Sequence, residues 1–111
     1  MASQQSTVDD LLERLAGAGR VTAQKMFGEY CIYLNDKPVA LVCDDQFYLK
    51  PTAAGRELLP DVMEESPYPG AKPHLVLEPE LWTDREALCQ IVRATFEVLP
   101  LPKPRKKKLN G

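Results

Sequence analysis

The segment Met26–Lys50, MFGEYCIYLNDKPVALVCDDQFYLK, limits most sharply what this chain can fold into. Three short apolar runs, Tyr30–Leu34, Val39–Cys43 and Gln46–Lys50, are separated by Asn35-Asp36-Lys37 and by Asp44-Asp45. Asn and Asp tolerate left-handed backbone and bond their own main chain, so both separators read as turns. Strands joined by turns this short pair antiparallel. Alternation puts Tyr30, Ile32 and Leu34 on one face and Cys31 and Tyr33 on the other. Pro38 cannot donate to a ladder and belongs where its strand begins. The preceding residues 21–27 read as a further strand, with a bulge or bend at Gly28.

A sheet with an apolar face needs a cover, and the flanking sequence predicts helices for it. Thr7 reads as an N-cap, with Asp9 and Asp10 at the positive end of the dipole. Val8, Leu11, Leu12 and Leu15 form one stripe, and Gly17-Ala18-Gly19 ends the helix. After Pro51, Thr52 caps a short helix that runs to about Leu59, and residues 61–66 either extend it past Pro60 or do not. Residues 67–73, Pro-Tyr-Pro-Gly-Ala-Lys-Pro, form a loop or flap. His74–Glu78 reads as a fourth strand. Thr83 and Glu86 read as a capping box that opens a helix with a wide apolar face ending before Pro100. The prediction is a two-layer α+β domain. Its antiparallel sheet has four to five strands, with the meander at about 21–50, covered by N-terminal, middle and C-terminal helices. Residues 1–6 read as a frayed lead, 7–100 as one domain and 101–111 as a disordered basic tail.

Charge divides the chain. Lys103, Arg105, Lys106, Lys107 and Lys108 are five of the fourteen basic residues, and the last twelve positions hold none of the sixteen acidic ones. The body is therefore acidic and repels a phosphate backbone, which leaves direct nucleic-acid contact to the tail. Cys31, Cys43 and Cys89 are an odd number without a Cys-x-x-Cys pair, which argues against a disulfide framework and a zinc site. They read as reduced thiols of a cytoplasmic protein. A register centred on Lys37 would place Cys31 opposite Cys43, the one arrangement in which a cross-strand disulfide is conceivable. No apolar run approaches the roughly 20 residues of a membrane span.

The catalytic inventory is thin. His74 is the single histidine. A Cys/His nucleophile would have to pair it with a strand cysteine, where a small apolar thiol more often belongs to the core. Asp44-Asp45 and Glu64-Glu65 are adjacent rather than at ligand spacing, so neither a metal nor a cofactor is expected. Glycine-rich phosphate loops are absent. Lys25, Lys50, Lys72 and His74 could converge near the proline-glycine loop on an anion, although four separate surface cations is the plainer reading. The tyrosines Tyr30, Tyr33, Tyr48 and Tyr68 could stack on bases, although strand aromatics more often fill a core.

Lys25-Met26-Phe27-Gly28, with Tyr30-Cys31-Ile32-Tyr33-Leu34 and Asn35-Asp36-Lys37 behind it, resembles the opening of the TfoX/Sxy N-terminal domain. In that family a Lys-Met-Phe-Gly-Gly-Tyr block leads into an aliphatic and aromatic strand. Val39–Val42, Phe47–Lys50 and the closing helix continue the likeness, over about residues 8–99. Glu29 stands where the family has its second glycine, and residues 68–74 depart from its better-known members. The resemblance implies an α+β module tied to competence regulation, in which full-length members also carry a second, helical domain and act with a cyclic-AMP receptor protein. The leading expectation is a stand-alone, non-enzymatic module that binds a transcription-related protein partner, with a homodimer as a further assembly. Its contact candidates are Phe27, Tyr30, Lys50, Tyr68, Lys72 and His74. The alternative is a small-molecule or anion-binding domain that uses the 67–74 loop.

Overall fold

The computed structural model describes residues 3–26 and 29–99. Helix α1 (Gln5–Leu15) leads through a single 3-10 turn into strands β1 (Val21–Met26), β2 (Glu29–Leu34), β3 (Lys37–Cys43) and β4 (Gln46–Leu49). Helix α2 (Ala53–Leu58), β5 (Glu64–Glu65), β6 (His74–Leu77), α3 (Pro79–Trp82) and α4 (Arg85–Val98) follow. Every pairing is antiparallel, in the order β1-β2-β3-β4-β6-β5. The two-layer α+β architecture is the predicted one. The preceding strand β1 and the two-residue β5 bring the sheet to six strands among the described residues.

Two hairpin turns of the same kind set the meander. Asn35 and Asp36 have φ of 50° and 71°, and Asp44 and Asp45 have 54° and 60°. Two successive left-handed residues make a type I′ turn, whose twist matches that of the flanking strands. The first turn is thus Asn35-Asp36 alone. Lys37 belongs to β3, opposite Leu34. A bulge then shifts the register, so that Ile32 faces Ala40 and Cys31 faces Leu41 rather than Cys43. All three cysteines are free thiols. The bulge also lets Val39 and Ala40, although adjacent, both be buried in the main core.

The core lies between the sheet and the helices. Tyr30, Ile32, Leu34, Val42, Phe47, Leu49, Leu75 and Leu77 from the strands meet Val8, Leu11 and Leu15 of α1, Trp82 of α3, and Leu88, Ile91 and Val92 of α4. Trp82 Nε1 donates to Leu77 O at 2.9 Å, and its ring meets Phe47 edge-on at 6.3 Å. Helix α2 comes close at Gly55, where an added Cβ would lie 3.1 Å from Leu75 and 3.3 Å from the Thr95 hydroxyl. Thr52 caps α2 as expected, accepting from Gly55 N–H at 2.9 Å.

Lys37 joins the layers at one end. The residue is 6% exposed, and Nζ donates to Phe96 O and Leu99 O, both at 2.7 Å, with the ammonium 4.1 Å from the Phe96 ring centroid. The last carbonyls of a helix have no partner within it and carry its negative pole, so a cation there acts on both counts.

Three local expectations change and one open alternative is resolved. Helix α1 starts at Gln5 rather than at Thr7, and no side chain caps it. The lead is not frayed from Ser3 onward: Ser3 is buried, and Gln4 N–H donates to Asp45 Oδ1 at 2.8 Å. Asp84, not Thr83, caps α4, accepting from Ala87 N–H at 3.1 Å, while the Thr83 hydroxyl turns back to Glu80 O. Residues 61–66 do not extend α2. Met63 O instead accepts from Val76 N–H at 2.8 Å, and Arg56 pairs with Glu64, which holds β5 at the edge of the sheet. The bend expected at Gly28 lies outside the described residues.

Replacing Lys37 by Met keeps the aliphatic stem and removes the ammonium. Two charge-assisted bonds are lost and two helix-end carbonyls are left without it. We expect the Lys37→Met chain to unfold in urea with a stability lower by about 2–3 kcal/mol and an unchanged m-value. A loss under about 0.5 kcal/mol would show that the contact adds nothing net.

Candidate functional site

The helices cover one face of the sheet. The other carries Cys31 and Tyr33 from β2, Leu41 and Cys43 from β3, Tyr48 from β4, and His74 and Val76 from β6. Cys43, Tyr48 and Val76 form a small second cluster with Leu41 packed against it. The loop between β5 and β6 arches over these residues, and its shape follows from its sequence. Ala71 N–H donates to Tyr68 O at 3.1 Å, and Gly70 has φ of 89°. Tyr68-Pro69-Gly70-Ala71 is therefore a type II turn, with proline and glycine at the two positions that favour them. The Ser66 hydroxyl donates to Ala71 O at 2.8 Å and closes the loop on itself.

Two hollows flank the arch. The larger, of about 540 Å³, is lined by Cys31, Leu41, Lys50, Tyr68, Lys72 and His74, with Leu99 at its border. The smaller, of about 400 Å³, is lined by Met26, Glu29, Tyr30, Leu41, Cys43, Pro67 and Tyr68. Leu41 and Tyr68 belong to both, so the hollows adjoin and Tyr68 stands between them. Asp45, Glu65 and Glu78 line a third hollow, and Glu65 stands directly across from His74 on the neighbouring strand.

The predicted residues separate clearly. Lys50, Tyr68, Lys72 and His74 line the larger hollow together. His74 is 9% exposed and its Nδ1–H donates to Lys72 O at 2.8 Å, so the ring both lines the hollow and anchors the strand. Lys25 does not join them, because its register partner Tyr30 lies on the helix-covered face. Tyr30 packs in the main core, and its hydroxyl donates to Gln5 Oε1 at 2.9 Å; it reaches only the border of the smaller hollow. Tyr48 is buried too, whereas Tyr68 is 55% exposed. Phe27 and the tail residues Lys103, Arg105, Lys106, Lys107 and Lys108 lie outside the described residues. Among the described residues, no three His, Cys, Asp or Glu side chains are grouped to hold a metal ion, and no helix is long and apolar enough to cross a membrane.

Glu29 does a job that its own position in the sequence does not reveal. Its Oε1 accepts from Ser3 N–H at 3.1 Å, from the Ser3 hydroxyl at 2.7 Å and from Asp44 N–H at 3.1 Å. Asp45 N–H in turn donates to Ser3 Oγ at 3.0 Å. The carboxylate thereby ties the N-terminal lead to the second hairpin turn. A polar N-terminal run opposite an acidic turn was the available signal, but only the fold brings these parts together.

The thiols of this face are poor nucleophiles. Burial pushes Cys31 up from its ordinary value, although the Tyr33 hydroxyl and Lys50 pull the other way. Burial, with Glu29 and Asp44 adding to it, pushes Cys43 up to about 11. A thiol needs a lowered pKa to act as a thiolate near neutrality.

Residues 13–99 match the TfoX N-terminal domain family, and the chain belongs to it. The chain is also similar to an uncharacterised 12.7 kDa protein from the trpE 5′ region of Spirochaeta aurantia. The two are 37% identical over 108 residues, which span 97% of this chain and 93% of that protein.

Alkylation by iodoacetamide tests the thiol chemistry. At pH 7.5 the folded chain should label at Cys43 about a hundredfold more slowly than a free cysteine, with the rate climbing above pH 9. The thiol ionises near 9 when unfolded and near 11 when folded, so its contribution to stability is complete below pH 9 and is lost as pH rises towards 11. Rapid labelling of Cys31 or Cys43 at neutral pH in the folded chain would contradict this.

Proposed function

We propose that this chain is a non-enzymatic interaction module that docks a protein partner on its open sheet face and acts in transcription, in the setting of competence regulation. Membership of the TfoX N-terminal domain family supports the setting. The observation that carries the docking surface is the division of the sheet. Helices cover one face, and the arch at 66–73 stands over the other with Tyr68 more than half exposed beside an apolar hollow. A tyrosine on a preformed turn offers a large contact area at low entropic cost, which is why such residues dominate interfaces. Protonated, buried thiols leave this face with shape and charge rather than a nucleophile.

Affinity capture from native lysate separates this reading from a purely structural role for the arch. The native chain should recover a component of the transcription apparatus, and Tyr68→Ala should recover at least tenfold less of it while keeping the same thermal midpoint. Recovery of no such component, or equal recovery by the variant, would overturn the proposal.

A further inference from the structure

The two adjoining hollows differ in chemistry, and the difference describes a ligand. Arg14, Arg20, Arg56 and Arg85 pair with carboxylates, and Lys37 is engaged by helix-end carbonyls. Lys25, Lys50 and Lys72 have no carboxylate within salt-bridge distance among the described residues. Arg93 also lacks one and bonds Ala18 O instead, and of these four cations Lys50 and Lys72 line one hollow. In a body with an excess of acidic groups, two lysines without a carboxylate partner make a local site for an anion; Glu65 lies across from His74 on β5 and lines the third hollow rather than this one. The neighbouring hollow is apolar. Met26, Tyr30, Leu41, Cys43, Pro67 and Tyr68 line it, and its one carboxylate, Glu29, is engaged by Ser3 and Asp44.

We infer that the open face binds a small amphipathic anion. Its carboxylate or phosphate head sits between Lys50 and Lys72, and its alkyl or aryl body runs past Leu41 and Tyr68 into the apolar hollow. Strand spacing sets the length. Lys50 follows Leu49, which faces Ala40, so it stands about level with Val39, four residues along β3 from Cys43. At a rise of about 3.3 Å per residue the body and head together span about 13 Å. Hollows of about 540 and 400 Å³ are of the size that holds a small ligand. Tyr68 contacts the ligand along its length, and its preformed turn keeps the ordering cost low. The inference does not depend on a protein partner.

Amide-resolved NMR of the full chain tests it with four probes. Phenylhexanoate and phenylhexyl phosphate carry both parts, phenylhexanol lacks the charge and acetate lacks the apolar body. The two amphipathic anions should give saturable shifts at Leu41, Cys43, Lys50 and Lys72, and whichever binds tighter identifies the head group. Phenylhexanol and acetate should bind at least tenfold more weakly. Lys50→Met and Lys72→Met should each weaken the better anion by about fivefold to tenfold, and Arg85→Met should leave it unchanged. Absence of saturable shifts on this face, equal binding of phenylhexanol, or full binding by the double Lys50→Met, Lys72→Met chain would overturn the inference. Loss of partner capture in Tyr68→Ala without any anion binding would overturn this site alone and leave the docking surface standing.

Discussion

The buried ammonium of Lys37 holds the two layers in register. It rises from the first residue of β3 and ends on the last carbonyls of α4, so the end of the closing helix is fastened to the start of a central strand. Burying an unpaired lysine would be prohibitive, but here carbonyls at the negative end of a dipole and an aromatic face surround the charge. With α4 placed, Leu88, Ile91 and Val92 can meet the strands, and α1 and α3 fill the rest of the same side. Among the described residues, both long helices, α1 and α4, lie on one face of the sheet and a loop stands over the other.

The shape of that loop has a chemical origin. Pro69 and Gly70 suit the two central positions of a type II turn, and the Ser66 hydroxyl closes its base. The arch over buried Cys43, Tyr48 and Val76 leaves a hollow on either side. The bulge between β2 and β3 contributes as well. It sends Val39 and Ala40 into the main core and places Leu41 opposite Cys31, where it forms a wall common to both hollows. Glu29 completes this side by fixing the N-terminal lead on the second turn. The Glu29 carboxylate is thereby engaged within the fold.

What could be read from the sequence was local. Alternation revealed the meander, Thr52 the cap of α2, and proline and glycine the loop, because each signal acts over a few residues. Lys72 and His74 flank that loop, whereas Lys50 lies well before it and reaches them only through the pairing of β4 with β6. Long-range contacts were not legible. Lys37 meets Phe96 fifty-nine positions away, and Ser3 meets Glu29 across twenty-six. Lys25 was misplaced because strand register decides its face. At α4 two overlapping signals competed, and Asp84 rather than Thr83 had the geometry to cap. A two-residue strand such as β5 has no periodicity to detect; its partner β6 and the Arg56–Glu64 pair hold it in place.

The central claim is that the face without helices is the working face. Hydrogen–deuterium exchange of the chain, alone and with its captured partner, tests this most directly. The account predicts slowed exchange in the arch at 66–73 and along β3 and β4, with α1 and α4 unchanged. Slowed exchange confined to α1 and α4, with the arch unaffected, would contradict it.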